Sequence, residues 1–147
     1  MSDFRIAPLT QSSVLLIYSE RESIQTDPVY QRQGDVWPLD KRQLLIDSVL
    51  NSFDIPKIYF HAFVPPKSTD DGRVYEYAII DGKQRREAIW AFIDGDFALD
   101  SSFKYLHDST VSAGDLTYAE LAKRYPRLKN RFDSTSLAII TIQTDDI

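Results

Sequence analysis

A carboxylate, a glycine, an amide and three cations follow one another at residues 81–86, which read Asp81-Gly82-Lys83-Gln84-Arg85-Arg86. Arginine suits phosphate because its planar guanidinium makes bidentate, charge-assisted hydrogen bonds and stays charged when partly desolvated. A glycine turn lets an anion approach the backbone, and a helix that begins there presents unpaired N–H groups and a partial positive charge. This hexapeptide therefore predicts a phosphate-binding site if a helix begins after Gly82.

Four residues of the hexapeptide have more specific predicted roles. Asp81, at a strand end, would bind Mg²⁺ directly or through water, or would orient that water. Gln84 carries both a donor and an acceptor, which suits a water molecule or a phosphate oxygen. Arg85 and Arg86 would lie in the first turn of the helix, where cations oppose the macrodipole, and an anionic ligand would relieve that conflict.

The hexapeptide also has a plain interpretation. In it, Asp81-Gly82 is only a turn, and Arg85 and Arg86 form surface ion pairs with Glu87 or Asp94. Such pairs between neighbouring side chains are common on helices. The hexapeptide alone therefore leaves both interpretations open.

A second Gln-Arg pair occurs upstream, in Tyr30-Gln31-Arg32. These residues follow a proline and lie at a loop-like position instead of on a periodic face. They are candidates to converge with the hexapeptide on one ligand. In the plain alternative, Tyr30 packs at the edge of the core and Arg32 pairs with Asp35.

A strand before the hexapeptide and a helix after it must position these side chains. Residues 58–64 and 74–80 have the alternation and β-favouring side chains of strands, and the turn-rich residues 65–73 between them predict a hairpin. Residues 84–94 have helical periodicity, and Gly95 is a typical C-cap. The predicted core positions of this helix are Ala88, Ile89, Phe92 and Ile93.

Two capping boxes are predicted elsewhere in the chain. Asp40 with Gln43 would begin one helix, and Thr117 with Glu120 would begin another that Pro126 prevents from continuing unbroken. The apolar face of the first of these helices is Leu45, Ile46, Val49, Leu50 and Phe53.

The two ends of the chain contribute one helix and one strand. Ser12 and Ser13 are candidate caps for a helix over residues 14–21, and residues 137–143 predict a final strand. Strands and helices thus alternate in a mixed pattern, which indicates an α+β fold with a mixed β-sheet flanked by helices.

Composition narrows the class of protein. A chain of 147 residues with 43% hydrophobic content predicts a single domain over residues 1–147. It has no apolar run near the roughly 20 residues that cross a bilayer. The absence of a signal-like start and of cysteine favours a cytoplasmic protein without thiol chemistry. With two histidines available, the expected metal is Mg²⁺ held largely by phosphate oxygens.

The net charge of -5 argues against a surface that binds nucleic acid non-specifically. A basic stretch near the C-terminus is a local exception to the acidic charge balance. We interpret it as a solvated helix face and the turn that follows. Its members are Lys123, Arg124, Arg127, Lys129 and Arg131.

Several short segments, taken together and in order, resemble a known family. It is the ParB/sulfiredoxin-like domain with an Asp-Gly-Gln-Gln-Arg motif, found as the N-terminal part of GmrSD-type modification-dependent restriction enzymes and of SspE-like phage-defence proteins. The segments that carry the resemblance are Tyr30-Gln31-Arg32, Val36-Trp37, residues 44–50, Ile55-Pro56-Lys57-Ile58, residues 80–85, Ala88-Ile89 and Phe92.

The resemblance implies a ParB/sulfiredoxin-like fold that binds a nucleoside triphosphate (NTP) at residues 81–86 and hydrolyses it. The residues carried over are Tyr30, Gln31, Arg32, Asp81, Gly82, Gln84 and Arg85. Lys83 stands where the family has its first Gln. The lysine adds a phosphate contact, and the amide side chain of that Gln is missing. Relatives often carry a C-terminal nuclease domain of the His-Asn-His type, so this chain is expected to be the N-terminal part of a longer protein.

Three functions compete at this stage. The leading hypothesis is an NTP-binding, NTP-hydrolysing sensor domain of a prokaryotic restriction or phage-defence protein, with Asp81, Gln84 and Arg85 as catalytic residues. The alternative is a non-catalytic module that recognises modified DNA, in which the same arginines contact backbone phosphate. A third is a protein-binding adaptor with exposed aromatic anchors at Trp37 and Phe63.

Overall fold

The computed structural model describes residues 5–26 and 37–143. Over these ranges the chain forms a mixed β-sheet and several helices, which confirms the predicted α+β class. The strands are β1 (Arg5–Pro8), β2 (Ile24–Gln25), β3 (Ile58–Ser68), β4 (Val74–Asp81) and β5 (Ile139–Gln143). The helices are α1 (Val14–Ser19), a 3-10 turn (Arg21–Ser23), α2 (Leu39–Leu50), α3 (Lys83–Ile93), α4 (Tyr118–Arg124) and α5 (Pro126–Ser134).

The described residues divide into two compact units. The sheet unit contains residues 5–26, 56–83 and 136–143, and the helical unit contains residues 37–55 and 84–135. None of the helices in these ranges has both the length and the apolar character that crossing a membrane requires. The expectation of a single domain over residues 1–147 stays a prediction.

The sheet unit is built around the predicted hairpin. Strands β3 and β4 pair antiparallel, with Phe60 opposite Ile79, and the full strand order is β1-β5-β3-β4-β2. The outer pairings alternate in direction: β5 runs parallel to β3 and antiparallel to β1, while β2 runs parallel to β4. This mixture of directions makes the sheet a mixed one, as predicted.

The β3–β4 turn is shorter than the sequence predicts. After a register shift, Lys67 and Ser68 pair with the start of β4, so that the turn proper is confined to residues 69–73. An irregularity of this kind lets a strand containing prolines rejoin its partner, because the bulged residues need not donate to the ladder.

Helix α1 begins where the two serines predict. The Ser13 hydroxyl oxygen accepts a hydrogen bond from the Leu16 amide, and the buried Ser12 hydroxyl donates to the Leu137 carbonyl. The helix ends at Ser19, earlier than expected, because the chain tightens into a 3-10 turn. Its buried residues are Val14 and Ile17.

In the helical unit, one predicted cap is wrong and one is confirmed. Helix α2 begins after Pro38, and Gln43 donates to the Ala98 carbonyl instead of closing a capping box with Asp40. The Asp40 carboxylate accepts from the Lys41 amide, because Asp40 already lies inside the helix. The capping box at Thr117 is present, and Pro126, which has no N–H to lose, begins the new helix α5.

Aromatic packing holds the helical unit together. Phe92 of α3 lies 5.4 to 5.9 Å, ring centre to ring centre, from Phe97, Tyr118 and Phe132. The predicted core residues Leu45, Ile46, Val49 and Leu50 of α2 are buried, but Phe53 is 55% exposed because α2 ends at Leu50. Three of the four core positions predicted for α3 are buried, and the fourth, Ile93, is half-buried.

Candidate functional site

Gly82 makes the bend between strand β4 and helix α3. Its φ is +98°, which side chains in L-residues rarely adopt, and a Cβ there would lie 3.0 to 3.2 Å from the backbone and side chain of Ile58. Glycine is therefore required both by the backbone conformation and by the close approach of β3. The helix begins at Lys83, directly after Gly82, as the predicted phosphate site requires.

Asp81 is the last residue of β4 and is exposed. One of its carboxylate oxygens accepts a hydrogen bond of 2.9 Å from the Gly82 amide. The Gly82 amide thus serves to hold the carboxylate at the strand end, and the role of Gly82 toward a ligand is to shape the bend. An exposed, oriented carboxylate is a suitable ligand for a hard cation such as Mg²⁺.

A metal at Asp81 would need oxygen ligands from elsewhere. The described residues contain no group of three acidic or histidine side chains that could hold an ion. Phosphate oxygens of a nucleotide are the usual partners of Mg²⁺ at a site with one carboxylate. Asp81 therefore fits a metal that arrives together with a nucleotide.

The first turn of α3 is basic and contains no acidic residue. Lys83, Gln84 and Arg85 are all half-buried there. Cations at a helix N-terminus oppose the macrodipole, whereas an anion at the same place is stabilised. The turn therefore has the local charge distribution of an anion site.

Arg86 contacts other residues of its own helix. Its guanidinium carbon lies 4.8 Å from the Trp90 ring centre, and its Nη2 lies 3.5 Å from Glu87 Oε1. The side chain is only 13% exposed. This is the Glu87 contact of the plain interpretation, so part of the charge on Arg86 is offset within α3, and a phosphate contact by Arg86 stays a prediction.

The upstream residues Tyr30, Gln31 and Arg32 lie outside the described residues. Their convergence with residues 81–86 therefore stays a prediction. Trp37 and Phe63, the anchors of the adaptor hypothesis, are half-buried, and each ring lies near a lysine ammonium. The adaptor hypothesis, which assumes that both rings are exposed, stays a prediction.

Sequence reasoning missed a second cluster of candidate residues, in the helical unit. Arg124, Arg127 and Arg131, which the sequence placed on a solvated face, line a cavity together with Tyr105 and Tyr125. The spacing of the arginines was visible in the sequence. The cavity was not, because its wall includes a loop nearly twenty residues away along the chain.

The mixed sheet and the glycine bend before a basic helix define an α+β chain with a candidate anion-binding turn. The family model described as the GmrSD restriction endonuclease, N-terminal domain, matches residues 15–146, so the chain belongs to this family. It is accordingly a domain of a restriction system. No curated protein and no solved structure matches the chain significantly. The ParB/sulfiredoxin-like assignment stays a prediction.

Proposed function

We propose that this domain binds and hydrolyses a nucleoside triphosphate at residues 81–86 and thereby regulates a prokaryotic restriction or phage-defence protein. The observation that carries the proposal is the bend at Gly82, which opens a helix whose first turn holds cations and no acid. A helix start of this kind favours a bound anion, and the guanidinium of Arg85 favours phosphate in particular.

Hydrolysis at this turn would depend on positioning and electrostatics. Lys83, Arg85 and Arg86 are assigned to the phosphates, where they offset the negative charge that develops on the transferred group. Asp81 is assigned to Mg²⁺, which supplies further charge neutralisation when bound. Gln84 or Asp81 would orient the attacking water, and Lys83 leaves Gln84 as the amide available for that task.

Other parts of the proposal come from the family. Tyr30, Gln31 and Arg32 are assigned to the nucleotide as a second group of contacts. A nuclease domain, in the same chain or a separate one, would respond to the nucleotide state of this domain. Modified DNA would be recognised by the full-length protein. The description of the family as the N-terminal domain of a restriction endonuclease supports the nuclease and DNA parts of the proposal.

Titration calorimetry with GTP, ATP and CTP in the presence of Mg²⁺ tests nucleotide binding. Arg85→Ala should weaken the binding of the preferred nucleotide at least about tenfold, because a charge-assisted contact contributes roughly 1.5 to 3 kcal/mol. Arg21→Ala, which removes an exposed arginine of the sheet unit, is the control and should leave the affinity unchanged. Equal heats for wild type and Arg85→Ala would rule out the assigned phosphate contact.

Phosphate release separates hydrolysis from binding. Asp81→Asn should bind nucleotide without Mg²⁺ as the wild type does, yet lose the Mg²⁺-dependent release of phosphate. Unchanged turnover in this variant would remove Asp81 from the metal site. If Arg85→Ala instead abolishes tight, salt-sensitive DNA binding that is independent of nucleotide, the non-catalytic DNA-binding module is the better description.

A further inference from the structure

The helical unit contains a cavity of about 570 Å³ that we call the arginine cavity. Arg124, the last residue of α4, and Arg127 and Arg131, one turn apart on α5, all line it. Two tyrosines, Tyr105 and Tyr125, form part of the same wall. The volume is in the range of sites for small organic ligands and exceeds what one phosphate group requires.

The arginine cavity carries more positive than negative charge, although Glu120, one turn before Arg124 on α4, interacts electrostatically with that arginine. Within residues 5–26 and 37–143, neither Arg124, Arg127 nor Arg131 forms an ion pair with a carboxylate. Lys129, on another face of α5, shows the contrast, because its ammonium lies 2.7 Å from the buried Asp133. Like charges one helical turn apart, as at 127 and 131, destabilise a helix unless an anion lies between them.

One acid, Asp108, lines the cavity and offsets a single charge. The Thr110 hydroxyl and the Thr110 amide both donate hydrogen bonds to its carboxylate, at 2.6 and 2.9 Å. These bonds lower the pKa of Asp108, so its negative charge is retained. Three arginines against one aspartate still leave the cavity positive.

Aromatic rings lie beside these cations. The guanidinium carbon of Arg131 is 5.9 Å from the Tyr105 ring centre, and that of Arg124 is 6.0 Å from the Tyr125 ring centre. The Tyr125 hydroxyl accepts a hydrogen bond from the Ser112 amide, which fixes the ring. The cavity therefore combines a polyanion site with flat apolar surfaces.

We propose that the arginine cavity binds a single strand of nucleic acid, with phosphates on the arginines and one base against Tyr105 or Tyr125. Nucleic acid offers a series of phosphates and aromatic bases together, and proteins bind single strands through this combination of cationic grooves and stacking side chains. An acidic polypeptide would satisfy the arginines but not the rings. The net charge of -5 means that the arginine cavity must carry most of the attraction.

Fluorescence anisotropy with a labelled twelve-residue thymidine strand tests this proposal, using the whole chain without nucleotide. Arg127→Gln should weaken binding about tenfold at low salt, and Arg124→Gln/Arg127→Gln about a hundredfold. The slope of log affinity against log salt should flatten by about 0.7 for each arginine removed, the value for single strands. Arg21→Gln is the matched exposed control and should leave the affinity unchanged.

Two further ligands separate the strand from other anions. An abasic strand of the same length should bind about tenfold more weakly than the thymidine strand, because it lacks the stacking contact. Polyglutamate of matched charge should compete poorly. The proposal is overturned if the wild type shows no measurable binding, if the double variant keeps its affinity, or if Arg21→Gln loses as much. It is also overturned if the abasic strand binds equally well or if polyglutamate competes effectively. Thermal melts confirm that every variant is folded.

Discussion

The two basic regions of this chain obtain their charge in different ways. In the turn at residues 81–86, the cations are neighbours in sequence, and a single glycine fixes where they begin. Part of that charge, on Arg86, is offset by Glu87 and Trp90 of the same helix. In the arginine cavity, the cations come from two helices, and no carboxylate in the described part of the chain pairs with them.

This difference separates what local structure provides from what tertiary structure provides. The turn depends on one backbone conformation, so a substitution at Gly82 should damage it most. The arginine cavity depends on the packing of α4, α5 and the loop at residues 105–111, so it should survive damage to the turn.

The largest expected effect belongs to Gly82→Ala. The new Cβ would be strained at φ +98° and would lie 3.0 to 3.2 Å from Ile58, including its backbone Cα. Strain of about 1 to 2 kcal/mol and overpacking of about 1 to 3 kcal/mol together predict a loss near 3 kcal/mol in the free energy of unfolding. Urea unfolding measures this loss.

Gly72→Ala is the control for Gly82→Ala. Gly72 has a similar φ of +85°, but a Cβ there would meet no atom within 4 Å, so only the strain should remain. Equal losses in the two variants would show that the approach of Ile58 has little energetic weight. Below its melting temperature, Gly82→Ala should lose nucleotide binding and keep its affinity for the thymidine strand.

A smaller effect is expected at Asp47 of α2, in the same unit as the arginine cavity. Burial and the nearby Asp100 raise the pKa of Asp47 to about 6, and its Oδ1 has no hydrogen-bond partner in the described structure. The folded state therefore holds this proton more tightly than the unfolded chain. Stability should fall as the pH rises from about 4 to above 6, because the charged form is the disfavoured one.

Asp47→Asn should remove this penalty. After allowance for partial solvent screening, the variant should gain about 1 to 2 kcal/mol at pH 8 and little at pH 4. Urea unfolding at the two pH values measures the gain, and Asp70→Asn, in the exposed β3–β4 turn, should show none. A gain at pH 8 that salt abolishes would indicate a long-range charge effect in place of burial.

The difference between local and tertiary structure also explains which parts of the fold the sequence could predict. The hairpin, the glycine bend and the helix after it could be predicted, because each depends on residues close together in the chain. The Thr117 capping box was correct for the same reason. Asp40 was a wrong cap because α2 already begins at Leu39, and its predicted partner Gln43 makes a long-range hydrogen bond to Ala98, which local patterns cannot reveal.

The candidate sites divide in the same way. The residues of the turn could be singled out from their order, and the structure provides the bend that they require. The arginines at 124, 127 and 131 were visible as charges, but their cavity depends on a loop that no periodicity predicts. The ion pair of Lys129 with Asp133, which sets this lysine apart from the three arginines of the cavity, also required coordinates.

The smallest expected effect tests whether Arg86 belongs to the turn or to its own helix. Glu87→Gln removes the carboxylate 3.5 Å from Arg86 and should change the free energy of unfolding by only about a few tenths of a kcal/mol, because the contact is long and the Glu87 side chain is 36% exposed. Without that carboxylate, more of the positive charge is available to a phosphate, and nucleotide affinity should rise about twofold. Glu22→Gln breaks an exposed ion pair of 2.7 Å with Arg73 in the sheet unit and should have an equally small effect on stability, with none on nucleotide affinity. If Glu87→Gln weakens nucleotide binding instead, Glu87 positions Arg86 for the phosphate, and the contact within α3 is part of the site.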